Sequence, residues 1–269
     1  MIKFPNCKIN LGLNITEKRN DGFHNLETVF YPIPLSDSLE ITSSDTDDDQ
    51  LHIHGISIDT DKENNLVYKA LMLLRKDFHI PSIRIDLHKV IPFGAGLGGG
   101  SSDASFMLRL LNEEFKLGLS DSLLERYASQ LGSDCPFFIK NKPTLAKGRG
   151  EIFSPVTLSL KDYYIAIIKP DIHVSTKDAF AMISPQKPQL SLETIIQLPI
   201  EEWQDIMVND FEKSIFFHHP SIKQLKDELI DKGAIYSSMS GSGASVYGIF
   251  KEKPDLSNLN NGFKYINKL

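Results

Sequence analysis

The sequence predicts an α+β fold of two domains, and three observations predict it. The first forty residues alternate in the manner of β-strands, a strand in mid-chain runs into a glycine-rich loop and a helix, and from about Ser154 a second set of strands and helices begins. At 269 residues with 41% hydrophobic content the chain can bury a sizeable core, and that length suits two domains.

Each element has a local reason. Ile9, Leu11, Leu13 and Ile15 fall on one strand face, Asn20-Asp21-Gly22 supplies a turn, and Thr28–Tyr31 can return as the partner strand. Asp45–Asp49 is a short acidic run suited to a solvated loop, and Leu51-His52-Ile53-His54 alternates again. Asn65–Phe78 has helical periodicity through Leu66, Ala70, Leu73 and Leu74. In the stretch SIRIDLHKVI, Ile83, Ile85 and Leu87 share one strand face, with Arg84, Asp86 and His88 on the other. A helix follows from about Ser102 to Asn112, and a second over Ser122–Leu131 stops at Gly132, a C-terminal cap. Pro136–Ile139 reads as a further strand, which leaves Ser133 and Asp134 at a helix-to-strand junction. Past Ser154, Tyr163–Lys169 is an apolar strand and Ser175-Thr176-Lys177-Asp178 resembles a capping box before a short helix. Pro220–Lys232 is a helix ended by Gly233, and Ser240-Gly241-Ser242-Gly243 precedes a strand over Ser245–Phe250. The domain boundary falls near Pro155, giving domains 1–155 and 156–269.

Composition narrows the function classes. No apolar run of twenty residues exists to span a bilayer, and Lys3 and Pro5 interrupt the start where an export signal needs apolar residues. Cys7 and Cys135 stand far apart without metal-ligand spacing, as reduced thiols of a cytoplasmic protein do. A net charge of -6 speaks against a nucleic-acid partner, while leaving room for a local pocket that takes one small anion.

Gly94–Gly100 packs five glycines into seven residues ahead of a helix. A helix N-terminus leaves its first N–H groups unpaired and carries partial positive charge, and a phosphate satisfies both if no side chain blocks it. Ser101 and Ser102 add hydroxyls at the cap and Lys89 a nearby cation. The alternative is a structural turn, yet so many glycines lose much conformational freedom on ordering. A Walker A loop is excluded because no lysine follows Gly100, and a dinucleotide fingerprint because no acidic residue sits at the right distance on a following parallel strand.

The stretch Pro92-Phe93-Gly94-Ala95-Gly96-Leu97-Gly98-Gly99-Gly100-Ser101-Ser102-Asp103-Ala104 resembles the phosphate loop of the GHMP kinase superfamily. Three glycines before the two serines are similar to one branch of it, the 4-diphosphocytidyl-2-C-methyl-D-erythritol kinases of isoprenoid biosynthesis. Three more stretches agree in order: NCKINLGLNITEKRNDGFHNLETVF at Asn6–Phe30, LGSDCPFF at Leu131–Phe138 and MSGSGASVYGIF at Met239–Phe250. The resemblance implies an N-terminal ribosomal-protein-S5-like ATP domain and a C-terminal ferredoxin-like domain. It also implies ATP as co-substrate with Mg²⁺, and a small-molecule substrate carrying a cytidine diphosphate moiety, phosphorylated on its 2-hydroxyl. No membrane or nucleic acid is involved, and a monomer or weak homodimer is expected.

Residue by residue, the resemblance places Lys8 beside the substrate hydroxyl and makes Asp134, in the pattern Gly-Ser-Asp-x-Pro-x-Phe, the catalytic base. Taken alone, Lys8 reads as a surface lysine and Asp134 as a turn or capping aspartate. Phosphoryl transfer gives the pair sense: the aspartate orients an alcohol and takes its proton late, and a lysine keeps it ionised. Phe23 and His24 stand where the family holds cytosine; the family's usual residue at Phe23 is tyrosine, and phenylalanine keeps the stacking face without the hydroxyl. Asn10, on the strand face of Lys8, and Thr176 are expected at the substrate, and Arg149 aligns with a variable position. Asn65 and Leu66, with the strand ending at Lys89, border the adenine pocket, and Gly241-Ser242-Gly243 forms a second glycine turn closing on the phosphate side. The metal's protein ligands cannot be picked from this sequence; Ser102 is a candidate. Two rivals stay open: another GHMP kinase acting on homoserine, mevalonate or a sugar, and a non-catalytic nucleotide-binding regulator on the same fold. His52, His54, His218, His219, Trp203 and the two cysteines are read as structural.

Overall fold

Alternation in the first forty residues becomes real strand, and it is longer than the pattern alone marks. The computed structural model describes residues 1–57, 60–259 and 262–269, with Thr176 described by its backbone alone. Its strands are β1 (Ile2–Lys3), β2 (Asn6–Lys18), β3 (His24–Ser36), β4 (Ser38–Ser43), β5 (Gln50–Gly55), β6 (Ile83–Lys89), β7 (Thr144–Lys147), β8 (Ile152–Pro155), β9 (Tyr164–Lys169), β10 (Tyr236–Met239), β11 (Val246–Phe250) and β12 (Phe263–Lys268). Its α-helices are α1 (Leu66–Leu74), α2 (Gly99–Glu114), α3 (Asp121–Ala128), α4 (Cys135–Lys140), α5 (Thr176–Phe180), α6 (Leu192–Ile195), α7 (Phe211–His218) and α8 (Pro220–Asp231). The chain forms two units, each built from more than one stretch of sequence.

The first unit comprises Met1–Cys7, Leu35–Phe93 and Gly98–Lys142. Its sheet runs β1-β4-β6-β5, with β4 antiparallel and β5 parallel to β6. Ile83, Ile85 and Leu87 of β6 are buried, as the alternation predicts, and the strand ends with Lys89 buried in turn. Helices α1 to α4 pack on one another, and α2 buries Phe106, Met107, Leu108, Leu110 and Leu111.

Two expectations need correction here. Helix α2 starts at Gly99, three residues before Ser102, so the last two glycines of the loop form its first turn. Pro136–Ile139 is helical, because Pro136 occupies the first turn of α4, where its missing N–H costs nothing. A short, fully buried apolar run has no periodicity to separate strand from helix. Asn141, at φ 53°, ends α4 in the left-handed region. Asp134 therefore stands between two helices.

The second unit comprises Lys8–Pro34, Gly94–Leu97 and Pro143–Leu269. It holds two antiparallel sheets, β2-β3-β7-β8 and β10-β11-β9-β12. Phe211 and Ile215 of α7, with Ile222, Leu225 and Leu229 of α8, form one core with Leu13 and Ile15 of β2, Ala166 and Ile168 of β9, and Val246 and Phe250 of β11. Ser175 caps α5 as the capping-box pattern predicts, accepting from Asp178 N–H at 3.1 Å. Trp203 is buried with its indole N–H donating to the Leu198 carbonyl at 3.1 Å, while His52 and His54 are exposed on β5 of the first unit. The two units together are α+β. Among the described residues no helix is long and apolar enough to cross a membrane.

Candidate active site

The start of α2 differs from the other long helix starts in the first unit. Asn65 caps α1 by accepting from Val67 N–H at 2.9 Å, and Ser120 caps α3 through Leu123 N–H. At α2 the N-cap is Gly98, in the left-handed region at φ 70°, and no side chain bonds there. The Ser102 N–H reaches back to the Gly98 carbonyl at 2.9 Å, so the N–H groups of Gly99, Gly100 and Ser101 precede the helical ladder. Those three donors, joined to the positive end of a sixteen-residue helix, suit a phosphate.

The neighbouring residues have separate tasks. A Cβ at Gly99 would stand 2.8 Å from Ile91 Cγ2, so glycine there lets the helix pack on the first residues of the loop. A Cβ at Gly100 would meet only Leu66 Cδ1, at 3.8 Å, which puts Gly100 beside Leu66 at the start of α1. Pro92, Ala95 and Leu97 are buried, while Phe93 is 68% exposed. Ser101 is half-buried; Ser102 is fully buried and its Oγ has no partner. Lys89 is 3% exposed, and its ammonium is taken up by the carboxylates of Asp37 and Asp103. The cation expected near the loop is thus a buried, ion-paired one.

Asp134 occupies the N-cap position of α4, yet its side chain makes no capping bond. The capping explanation of this aspartate fails on that observation. The turn is held instead by its neighbours: the Cys135 N–H donates to the Gly132 carbonyl at 3.2 Å, and Ser105 of α2 donates to the Cys135 carbonyl at 2.7 Å. Cys135 itself is buried, which pushes its thiol up to about 11 and keeps it an inert packing residue. Cys7 is likewise buried.

In the second unit Lys8 and Asn10 converge on the middle of the glycine loop. Lys8 is 3% exposed; its Nζ donates to Asn10 Oδ1 at 2.6 Å and to the Gly96 carbonyl at 3.3 Å, and lies 4.8 Å from the centre of the Phe30 ring. Asn10 Nδ2 donates to Thr28 Oγ1 at 2.9 Å, which fixes the amide so that its oxygen faces the lysine. The loop backbone docks here as well. Lys8 N–H donates to the Leu97 carbonyl at 2.9 Å, Ser240 Oγ to the Gly96 carbonyl at 2.8 Å, and Ser245 N–H to the Ala95 carbonyl at 3.3 Å. Gly96 has φ 73°, and any Cβ on it would strike the Ser240 carbonyl. The Gly241-Ser242-Gly243 turn therefore does lie against the first glycine loop, and a Cβ at Gly241 would be 3.3 Å from Asn10 Oδ1. Asn209, which no local pattern singles out, holds this turn by donating to the carbonyls of Met239 and Gly241, both at 2.8 Å.

The expected cytosine clamp divides into two ring pairs in this unit. Phe23 is 56% exposed at the tip of the β2–β3 hairpin, with the Arg149 guanidinium 5.2 Å from its ring centre. His24 stacks on Phe180, centres 5.0 Å apart and planes at 25°, and Phe180 meets Phe211 edge-on. Phe180 was not singled out from the sequence, since its ring acquires a partner only through the fold. Thr176 begins α5, but its side chain lies outside the described residues.

Comparison with known proteins bears on all of this. The family model described as GHMP kinases N terminal domain matches residues 65–142, and that described as GHMP kinases C terminal matches residues 192–264. A 4-diphosphocytidyl-2-C-methyl-D-erythritol kinase of Bacteroides fragilis is 58% identical over 261 residues, covering 96% of this chain and 95% of the relative. One of Porphyromonas gingivalis is 49% identical over 258 residues, covering 95% and 94%. The chain belongs to the 4-diphosphocytidyl-2-C-methyl-D-erythritol kinase family. A crystal structure of a 4-(cytidine 5'-diphospho)-2C-methyl-D-erythritol kinase matches with a TM-score of 0.80 at 31% identity, covering 93% of this chain and 90% of that one. A homoserine kinase from Cytophaga hutchinsonii, at 17% identity and a TM-score of 0.65, shares the fold alone. Within the 4-diphosphocytidyl-2-C-methyl-D-erythritol kinase family, then, Lys8, Asn10 and the Gly96 segment of this chain form one hydrogen-bonded cluster, and the uncapped start of α2 lies in the segment matched by the N-terminal model.

Proposed function

We propose that this chain transfers the γ-phosphoryl group of ATP to the 2-hydroxyl of 4-diphosphocytidyl-2-C-methyl-D-erythritol, giving the 2-phosphate and ADP, in the non-mevalonate route to isoprenoid precursors. The observation that carries the substrate is the full-length identity of 58% to a kinase of that name, because the fold alone also serves homoserine kinase. What supports the nucleotide half is the uncapped start of α2. The residues divide the work, with 1–155 as the ATP-binding domain and 156–269 contributing to the substrate side. Asn65, Leu66 and Pro92–Ser102 receive ATP. Asn10, Phe23, His24, Thr176, Gly241 and Ser242 receive the second substrate, with Phe180 added as the ring behind His24.

Lys8 and Asp134 carry the transfer step. Asp134 accepts a hydrogen bond from the 2-hydroxyl, aims its oxygen along the line of the breaking bond, and takes the proton as the new P–O bond forms. The Lys8 ammonium, held in place by Asn10 Oδ1 and the Gly96 carbonyl, stabilises charge that develops on the transferring group. A Mg²⁺ ion bound with ATP would neutralise phosphate charge. Ser102, with a buried Oγ that lacks a partner at the first turn of α2, fits such an ion and is the residue that would hold it. Among the described residues no group of three or more His, Cys, Asp and Glu could hold a metal. We take the protein to be cytoplasmic, which two buried cysteines outside any disulfide support, and a monomer or weak homodimer.

Two substitutions separate the halves. Gly100→Val adds a side chain next to Leu66 with no close contact to disturb, so the KM for ATP is expected to rise while the melting temperature holds. Steady-state kinetics beside a melting curve checks this, and an unchanged ATP KM removes Gly100 from the site. Phe23→Ala is expected to weaken the cytidylyl substrate by about 1–3 kcal/mol, the worth of a base–aromatic stack, without altering ATP. Isothermal titration with cytidine diphosphate measures it directly. To test the reaction itself, phosphorus NMR of the reaction mixture should show a new phosphomonoester while the substrate's diphosphate resonances persist. Loss of the diphosphate resonances would exclude 2-hydroxyl phosphorylation.

A further inference from the structure

Lys89, Asp37 and Asp103 form a buried cluster of one cation and two carboxylates, all in the first unit. Asp37 sits in the one-residue link between β3 and β4 and is 1% exposed. Its Oδ2 accepts from Lys89, and its Oδ1 accepts from Val90 N–H at 2.5 Å and Ile91 N–H at 2.8 Å. Those are the first two residues after β6, where the phosphate loop departs. Asp103 lies in the first turns of α2, where the loop ends, and its Oδ2 accepts from Lys89 Nζ at 2.6 Å. Its Oδ1 is buried without a partner. One ammonium thus joins the clamp on the first loop residues to the helix that presents the phosphate-binding amides. The position of a Cβ on Gly99 lies 3.5 Å from the same Nζ, so the staple passes directly beneath the first turn of α2.

Two carboxylates for one cation is a poor composition for a merely stabilising core, since buried charge is costly and an apolar cluster of equal volume usually serves stability as well or better. What the cluster does provide is a fixed distance between the two ends of the loop. We infer that Asp37 and Asp103 are positioning residues for ATP, acting through Lys89 to hold the start of α2 in register with the start of the loop. This rests on the nucleotide assignment proposed above.

The test is the Asp103→Ala variant, which severs the tie to α2 and leaves the Lys89–Asp37 pair intact. The KM for ATP, and the dissociation constant of a fluorescent ADP analogue, should rise roughly tenfold or more, the scale of a misplaced binding element. The KM for the cytidylyl substrate should not move. Asp103→Asn keeps an oxygen for Lys89 and should restore most of the ATP affinity. If the alanine variant unfolds, Asp103→Leu fills the space and is measured instead. A folded Asp103→Ala or Asp103→Leu variant with wild-type ATP affinity overturns the inference. So does an equal loss in the asparagine variant, or a parallel change for both substrates. A wild-type protein that binds no ATP analogue would instead overturn the nucleotide assignment.

Discussion

Asp134→Asn is expected to give a folded protein that binds both substrates and turns over about 10²–10⁴-fold more slowly, the usual contribution of a positioned general base. The amide keeps the shape of the carboxylate but is neutral and can no longer accept the proton. Fold should survive because the turn before α4 is held by bonds among Gly132, Cys135 and Ser105. Binding should survive because the lost interaction belongs to the transition state. Turnover, both dissociation constants and a melting curve on one purified sample decide the matter. Wild-type turnover would end the assignment of Asp134 as base.

Lys8→Met is expected to lower kcat by about 10²–10³-fold, the range seen when one preorganised electrostatic donor is removed. Methionine retains a stem that can pack on Phe30, so the substitution removes the charge and with it the hydrogen bonds to Asn10 and the Gly96 carbonyl. The Gly96 carbonyl keeps its bond from Ser240, which leaves the loop docked and the KM for ATP close to wild type. Asn10 Oδ1 loses its lysine partner, and a moderate drop in melting temperature follows. Single-turnover measurement with ATP in excess separates the chemical step from binding. A normal rate for that step would leave Lys8 a structural residue.

The parts of this molecule that could be read in the sequence are those set by local rules. Alternation marked β6 through Ile83, Ile85 and Leu87, the glycine cluster marked that a helix follows though not that it begins within the glycines, and Ser175 with Asp178 marked the cap of α5. Pro136–Ile139 escaped because a short buried run satisfies strand and helix alike until its neighbours choose. The surroundings of Lys89 escaped for another reason: Asp37 lies 52 residues away, and only the pairing of β4 with β6 brings it near. Phe180 and Asn209 acquire their partners in the same way, one through the packing of α5 and the other through the turn after β10. The candidate site residues were legible as a pattern shared with a family. Their hydrogen-bond partners depend on contacts that no window of sequence contains.

The central claim is selective phosphoryl transfer to a cytidine-diphosphate-linked polyol, and a competition assay addresses it most directly. ADP release from ATP is followed with 4-diphosphocytidyl-2-C-methyl-D-erythritol, and in parallel with homoserine, mevalonate and galactose. The kcat/KM for the cytidylyl substrate should exceed that for each of the others by at least about 10³-fold, since they lack the cytidine diphosphate moiety that the proposed site receives. A rate with homoserine, mevalonate or galactose equal to that with the cytidylyl substrate, or no ADP release with any of the four, would contradict the claim.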